Sequence, residues 1–504
     1  MLFNSFSFIA GFLPLTWLAW MAARRLGGLR LGQVTISLAS LVFYGMWDVR
    51  FLPILLGSIT VNFWFGRRIL AANRGRREAV AGRWLAGGVG FNLLVLGGFK
   101  YAFFIISNLT ALWDMPPPFG PLPLPLAISF VTFQKIAYLV DCRRGRVLRH
   151  DPLNYLFFVS FFPQLIAGPI VHHRPLIAQM DSEANPLLRD PRAAAAGFFF
   201  FAVGLCKKVL LADSLARFAS PVFDLARHGV PGGEAAWQAS LAYSLQLYFD
   251  FSGYSDMAIG LALLFGFRLP VNFASPYQAR SFVEFWRRWH MTLSVFLRDY
   301  LYIPLGGNRR GAVRRYLNLF VTMLLAGLWH GAGWTFILWG ALHGLLLLFN
   351  HAWRGLLQRQ AVLARAWRAV PGLVPQALTF LGVVAAWVLF RSPDLAAASR
   401  MYRALLQPRQ GAALAVPQWA APASLLESFL GARPEAGWLW VALGLGVVWL
   451  TPNTARWVAY DPTPNQRWGP RPGMIMGLSA GLLFWLALKW MAIRPPTEFL
   501  YFNF

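Results

Sequence analysis

Residues 84–106 read WLAGGVGFNLLVLGGFKYAFFII, an almost unbroken apolar run. Wound as a helix, such a run crosses the hydrocarbon core of a bilayer, which is about 30 Å thick and needs roughly 20 residues. Lipid offers no water to backbone N–H and C=O groups, so a helix, which bonds them internally, is the expected form.

The same kind of stretch recurs on both sides. Candidates precede it at Phe3 to Ala22, Gln33 to Met46 and Phe51 to Gly66. Others follow at Leu124 to Val140, Leu153 to Val171, Ala194 to Leu211, Ala236 to Phe265, Tyr316 to Leu328, Gly333 to Phe349, Leu373 to Phe390, Gly437 to Leu450 and Gly473 to Met491. Pro163, Gly168 and Pro169 interrupt one of them, so re-entrant segments are expected and the true spans number about ten to twelve. The expected fold class is all-α, a polytopic integral membrane protein forming one domain over residues 1–504. Composition points the same way: 57% of residues are hydrophobic and 13% charged, against about 45–50% and 25% in soluble domains.

A net charge of +26, from 46 Lys and Arg against 20 Asp and Glu, would suggest nucleic acid in a soluble protein. Here the basic residues cluster between apolar stretches, at 24–30, 67–83, 143–149 and 280–315. That is the positive-inside pattern, so these loops face the cytoplasm, lipid surrounds the protein, and no nucleic-acid partner is expected. The first stretch has no preceding basic residue and no small-residue cleavage site, so it reads as a retained helix with its amino end outside. The loop from Asn108 to Pro123 carries five prolines and no basic residue, which fits an external loop. Cys142 and Cys206 sit beside basic segments and read as reduced thiols. Gln407 to Pro434, rich in Pro and Ala, is the expected flexible loop.

The signatures of serine hydrolases, phosphate-binding loops, dinucleotide folds and zinc proteases are all missing. Polar residues inside apolar stretches are the better guide, because an ionisable group in a bilayer is costly and seldom without purpose. In Tyr248 to Asp256, Asp250, Ser252 and Asp256 interrupt an apolar run. On a helix Ser252 and Asp256 share a face and Asp250 does not; bonding between helices and lining of a tunnel both remain open for them. Leu328-Trp329-His330-Gly331 places an imidazole beside a glycine, and a neutral imidazole suits general-base work. Phe282, Phe285, Trp289, Leu293, Phe296 and Tyr300 recur at helical spacing, predicting an amphipathic helix over Ser281 to Tyr300 at the cytoplasmic interface, with His290 near its apolar stripe. The remaining histidines lack metal-ligand spacing, so no metal site is expected.

At these residues the chain resembles the membrane-bound O-acyltransferase family, in its alginate O-acetylation branch. The resemblance rests on Leu126 to Gln134, Phe162 to Ile170, Tyr248 to Asp256, Phe285-Trp286-Arg287-Arg288-Trp289-His290, Leu297 to Gly307, Trp329-His330-Gly331 and the aromatic tail Phe499 to Phe504. The core of these motifs covers about residues 120–350. The resemblance implies a central tunnel through the membrane, with His330 as the catalytic residue and His290 as a second histidine near the reaction centre. It implies Asp250, Ser252, Asp256, Trp289, Arg298, Asp299 and Trp329 as substrate-binding or tunnel-lining residues. It further implies acetyl-CoA as the donor substrate with no bound cofactor, a periplasmic acetyltransferase as partner, and the bacterial inner membrane as location. Acetylation of cellulose or peptidoglycan and D-alanylation of teichoic acid are the rivals within the family; a transporter or flippase is the rival outside it.

Overall fold

A computed structural model describes residues 1–147, 150–180, 185, 187, 190–407, 434–462, 473–494 and 497–500. Among these the regular elements are helical. In chain order they are α1 (Leu13–Gly45), α2 (Leu52–Arg74), α3 (Glu78–Leu96), α4 (Ala102–Ala111), α5 (Ile128–Arg143), α6 (Pro152–Ser160), α7 (Phe162–Leu165), α8 (His173–Met180), α9 (Pro191–Cys206) and α10 (Asp213–Leu225). Then come α11 (Gly233–Leu264), α12 (Phe282–Arg288), α13 (Met291–Leu297), α14 (Gly311–His330), α15 (Trp334–Arg359), α16 (Ala361–Ala369), α17 (Leu373–Arg391), α18 (Leu395–Leu406), α19 (Pro434–Leu450), α20 (Thr454–Trp457) and α21 (Met474–Ile493).

Among the described residues seven helical stretches are long and apolar enough to cross a membrane: 7–45, 49–74, 78–111, 191–225, 334–359, 373–391 and 474–493. The first is two legs, since α1 breaks at Gly27 and Gly28, the latter with φ +67°. A Cβ on Gly32 would lie 2.3 Å from the Trp20 ring, so the legs fold back on each other there. Other expected spans fall outside that set, α5 and α19 because they are shorter than 18 residues and α11 because it is not uniformly apolar. α11 is 32 residues long, carries Asp250 and Asp256, and is buried along nearly its whole length. Facing protein instead of lipid, it needs no apolar surface.

α11 is the axis of the molecule and packs most extensively on α9. Gly197 and Gly204 of α9 meet Gly260 and Gly253 of α11, and a Cβ on Gly204 or Gly260 would stand 2.5 Å from the facing carbonyl oxygen. Small residues at these points let the backbones touch, the usual basis of helix association in lipid.

Two expectations change. Leu153 to Val171 is not one continuous helix: α6 and α7 are short, the chain after them is irregular, and residues 161–171 are all buried, with the interruption falling where Pro163, Gly168 and Pro169 placed it. Irregular backbone at this depth is tolerated because it is enclosed by protein. Ser281 to Tyr300 is not one interfacial helix. It breaks between α12 and α13, where His290 takes the left-handed φ of +42°, and Phe285, Trp289, His290 and Leu293 are buried. The apolar stripe continues across the break, but its burial is against the protein core. Residues 408–433 of the expected flexible loop, and 501–504 of the aromatic tail, lie outside the described residues. Cys142 and Cys206 are both free and buried.

Candidate active site

α14 and α15 form a hairpin whose tightness follows from glycine. A Cβ on Gly327 would lie 2.3 Å from the Phe336 carbonyl oxygen, and one on Gly340 would lie 2.4 Å from that of Met323. The hairpin turns through Gly331, Ala332 and Gly333, leaving His330 as the last residue of α14, 4% exposed. Its ring sits among Trp329, Trp339 and Phe390, with centroids at 4.8, 5.0 and 5.2 Å, each edge to face. That is the favoured arrangement of ring quadrupoles.

His330 is not sealed in. With Trp329 it lines a narrow cleft of about 80 Å³, together with Trp47, Lys100, Ile166 and residues 124–130. Residues 124–127 continue directly from the proline-rich loop, so the cleft lies at the ends of α5 and α14 away from the arginines that follow α5 and precede α14.

His290 is positioned by a different device. Ser281 caps α12, its Oγ accepting from the Glu284 N–H at 3.2 Å, and Glu284 pairs with Arg288 at 2.6 Å. After α12 the chain turns sharply, and Asn272 holds the turn. Its Oδ1 accepts from the Thr292 hydroxyl at 2.7 Å and the Thr292 N–H at 3.3 Å, and lies 3.3 Å from His290 Nδ1. Because the Thr292 N–H can only donate, that Asn atom is the oxygen, so Nδ1 carries the imidazole proton and Nε2 the lone pair. Phe130 lies between His290 and Trp329, its ring 6.3 Å from that of His290 and 5.4 Å from that of Trp329, which in turn meets His330. A third histidine, His343, is fully buried at 4.8 Å from the Trp339 ring, and its Nδ1 receives the Trp286 indole N–H at 3.3 Å.

The other expected site residues are spread out. Trp289 is buried between Phe285, Tyr277 and Trp387. Asp250 pairs with Lys208 at 2.7 Å and accepts the Leu500 N–H at 2.9 Å; Asp256 pairs with Lys207 and accepts the Thr454 hydroxyl, both at 2.6 Å. Ser252 is buried on the same helix. The α11 residue that meets His290 is Phe251, edge on at 4.8 Å. Arg298 and Asp299 pair with each other at 2.6 Å, and Arg298 is largely exposed. None of these except Trp329 lines the His330 cleft. Among the described residues no three His, Cys, Asp or Glu side chains come together to hold a metal ion.

A second recess of about 400 Å³ opens on the arginine-bearing side, lined by Gln278, Arg280, Glu284, Arg288, Gln376, Trp449 and Arg456. Three guanidinium groups against one carboxylate give it a net positive charge, suited to phosphate.

Sequence reasoning passed over Lys100 and Asn272, and weighed His343 only as a metal ligand. Lys100 carried a usable signal as the one ionisable residue in residues 84–106. Asn272 carried none, since its role appears only when the chain closes 18 residues later.

Residues 127–390 match the family model of the membrane-bound O-acyltransferases. Over 432 residues the chain is 41% identical to a peptidoglycan O-acetyltransferase of Helicobacter pylori, covering 81% of this chain and 80% of that protein. It is 43% identical over 413 residues to the probable alginate O-acetylase AlgI of Pseudomonas putida, covering 80% of each. A more distant similarity, 30% over 245 residues, links it to a teichoic acid D-alanyltransferase of Streptococcus thermophilus, covering 45% of this chain and 57% of that protein.

Proposed function

Because the chain belongs to the membrane-bound O-acyltransferase family, we propose that this multi-pass O-acyltransferase takes acetyl from acetyl-CoA on the cytoplasmic side and passes it across the bacterial inner membrane. The acetyl group then serves O-acetylation of an exopolysaccharide such as alginate, through a periplasmic acetyltransferase. The observation that carries this reading is the position of His330: buried in an aromatic box, yet lining a cleft beside the proline-rich loop. The arginine-lined recess on the opposite side supports donor binding through the phosphates of coenzyme A.

In the transfer, His330 removes the proton of the acceptor hydroxyl as its oxygen bonds to the thioester carbonyl carbon. The resulting oxyanion is steadied by a nearby donor; neutral His290 is not that donor, because its one N–H is directed at Asn272. The C–S bond then breaks, and the thiolate leaves with the proton returned by the imidazolium.

The 41% identity to a protein named for peptidoglycan, beside 43% to one named for alginate, keeps a second polymer in view. A transporter reading would use Asp250 and Asp256 as ion sites, and the lysine pairing of both carboxylates weighs against it. The test is deletion of the gene, with ester-linked acetyl measured on each extracellular polymer and complementation by wild type or His330→Ala. Loss from one polymer, restored by wild type alone, is the expected result. Full restoration by His330→Ala would contradict the assignment.

A further inference from the structure

α3 does not run directly into α4. Between them Gly97–Tyr101 forms a single π-helical turn, a local widening that is frequent at functional sites because it re-aims side chains. Here it carries Lys100 into the protein, where the residue is 7% exposed. An ammonium within a membrane span is costly and is kept where it has partners and a use.

The partners are specific. Lys100 Nζ donates to the carbonyl of Trp329 at 2.6 Å, to the carbonyl of His330 at 3.0 Å and to Ser129 Oγ at 3.3 Å. Next to it, the Tyr101 hydroxyl donates to the carbonyl of Leu328 at 2.8 Å. The last carbonyls of a helix have no partner within it, and they form the negative end of its dipole. Two neighbouring residues of one π turn therefore hold the final three carbonyls of α14, and the cation occupies the position that the dipole favours. The three bonds use all three ammonium protons.

We propose that Lys100 is a positioning residue for acyl transfer: by gripping the backbone of Trp329 and His330 it fixes where the His330 imidazole stands in the cleft. This rests on the reading of His330 as the general base. The turn after His330 contains two glycines, so no stiff chain on that side does the same job. Lys100 itself has no donor left for a substrate, which separates its role from that of a binding residue. Ser129, within the motif at Leu126 to Gln134, is the third anchor of the grip.

The test compares Lys100→Met, Lys100→Arg and His330→Ala in the full-length protein in native membranes. Rates of label transfer from radiolabelled acetyl-CoA are measured against donor concentration and normalised to protein that elutes as a folded species. A displacement of the reacting group by about 1 Å costs on the order of 100-fold. Lys100→Met is therefore expected to lower kcat on the order of 100-fold while the KM for acetyl-CoA holds. Lys100→Arg, which keeps the cation, restores most of the rate. Should the Met variant not fold, Lys100→Gln, with two donors and no charge, carries the same comparison. Wild-type kcat in the Met or Gln variant overturns the proposal. So does a loss that Arg fails to restore, or one that follows falling melting temperature. If His330→Ala keeps its rate, the reading of His330 fails instead, and the two failures are told apart.

Discussion

His290 sits in a left-handed backbone conformation, with φ +42° and ψ +55°, that a residue bearing a Cβ enters at a cost of roughly 1–2 kcal/mol. Such strain persists only where the surroundings hold it, and Asn272 supplies the hold through Thr292 and His290 Nδ1. Two outcomes follow. His290→Gly and His290→Ala both remove the imidazole, but the Gly variant should melt at the higher temperature in detergent, because glycine takes this conformation without steric cost. Asn272→Ala leaves Nδ1 and the Thr292 donors without their acceptor and should slow acetyl transfer by roughly 10–100-fold, the usual effect of removing an orienting partner. Asn272→Asp, which keeps the oxygen, should lose less. His330 and His290 were conspicuous in the sequence because each interrupts an apolar pattern. Lys100 was visible too, as the one charged residue of residues 84–106, but the carbonyls it holds were not, and Asn272 acts through a ring nitrogen and a turn that no local pattern encodes.

At the scale of elements, the α14–α15 hairpin depends on backbone contact at Gly327 and Gly340. A larger residue there must separate the helices, and overpacking of this kind costs about 1–3 kcal/mol. Gly340→Val should lower the melting temperature and the transfer rate together, since His330 ends the helix that is displaced. The spans themselves were legible, because length and apolarity are imposed by the bilayer. The break between α12 and α13 was not. Phe285, Trp289, Leu293 and Phe296 keep helical spacing straight across it, and periodicity cannot register a single residue turning left-handed. The interruption of Leu153 to Val171 was foreshadowed by Pro163, Gly168 and Pro169, which a lipid-facing helix seldom accommodates.

Across the whole molecule, α11 is held to the π-helical turn after α9, Lys207–Ala212, by a buried ion pair, Lys208 with Asp250, and a partly buried one, Lys207 with Asp256. Removing one member strands a charge in the core, at a cost of roughly 3–5 kcal/mol. Lys208→Met should therefore destabilise the protein strongly, and adding Asp250→Asn should recover part of the loss in thermal melts. The sequence showed these carboxylates as misplaced charges and left their purpose open; only the docking of α9 on α11 supplies the lysines. The account joins these scales in one claim, that a cytoplasmic thioester and an external hydroxyl meet at His330. Inside-out membrane vesicles given radiolabelled acetyl-CoA test it directly. Wild-type vesicles should accumulate ester-linked label in the lumen, and vesicles with equal amounts of folded His330→Ala should fall by at least about 100-fold, the scale of general-base catalysis. Equal lumenal labelling in both would contradict the account.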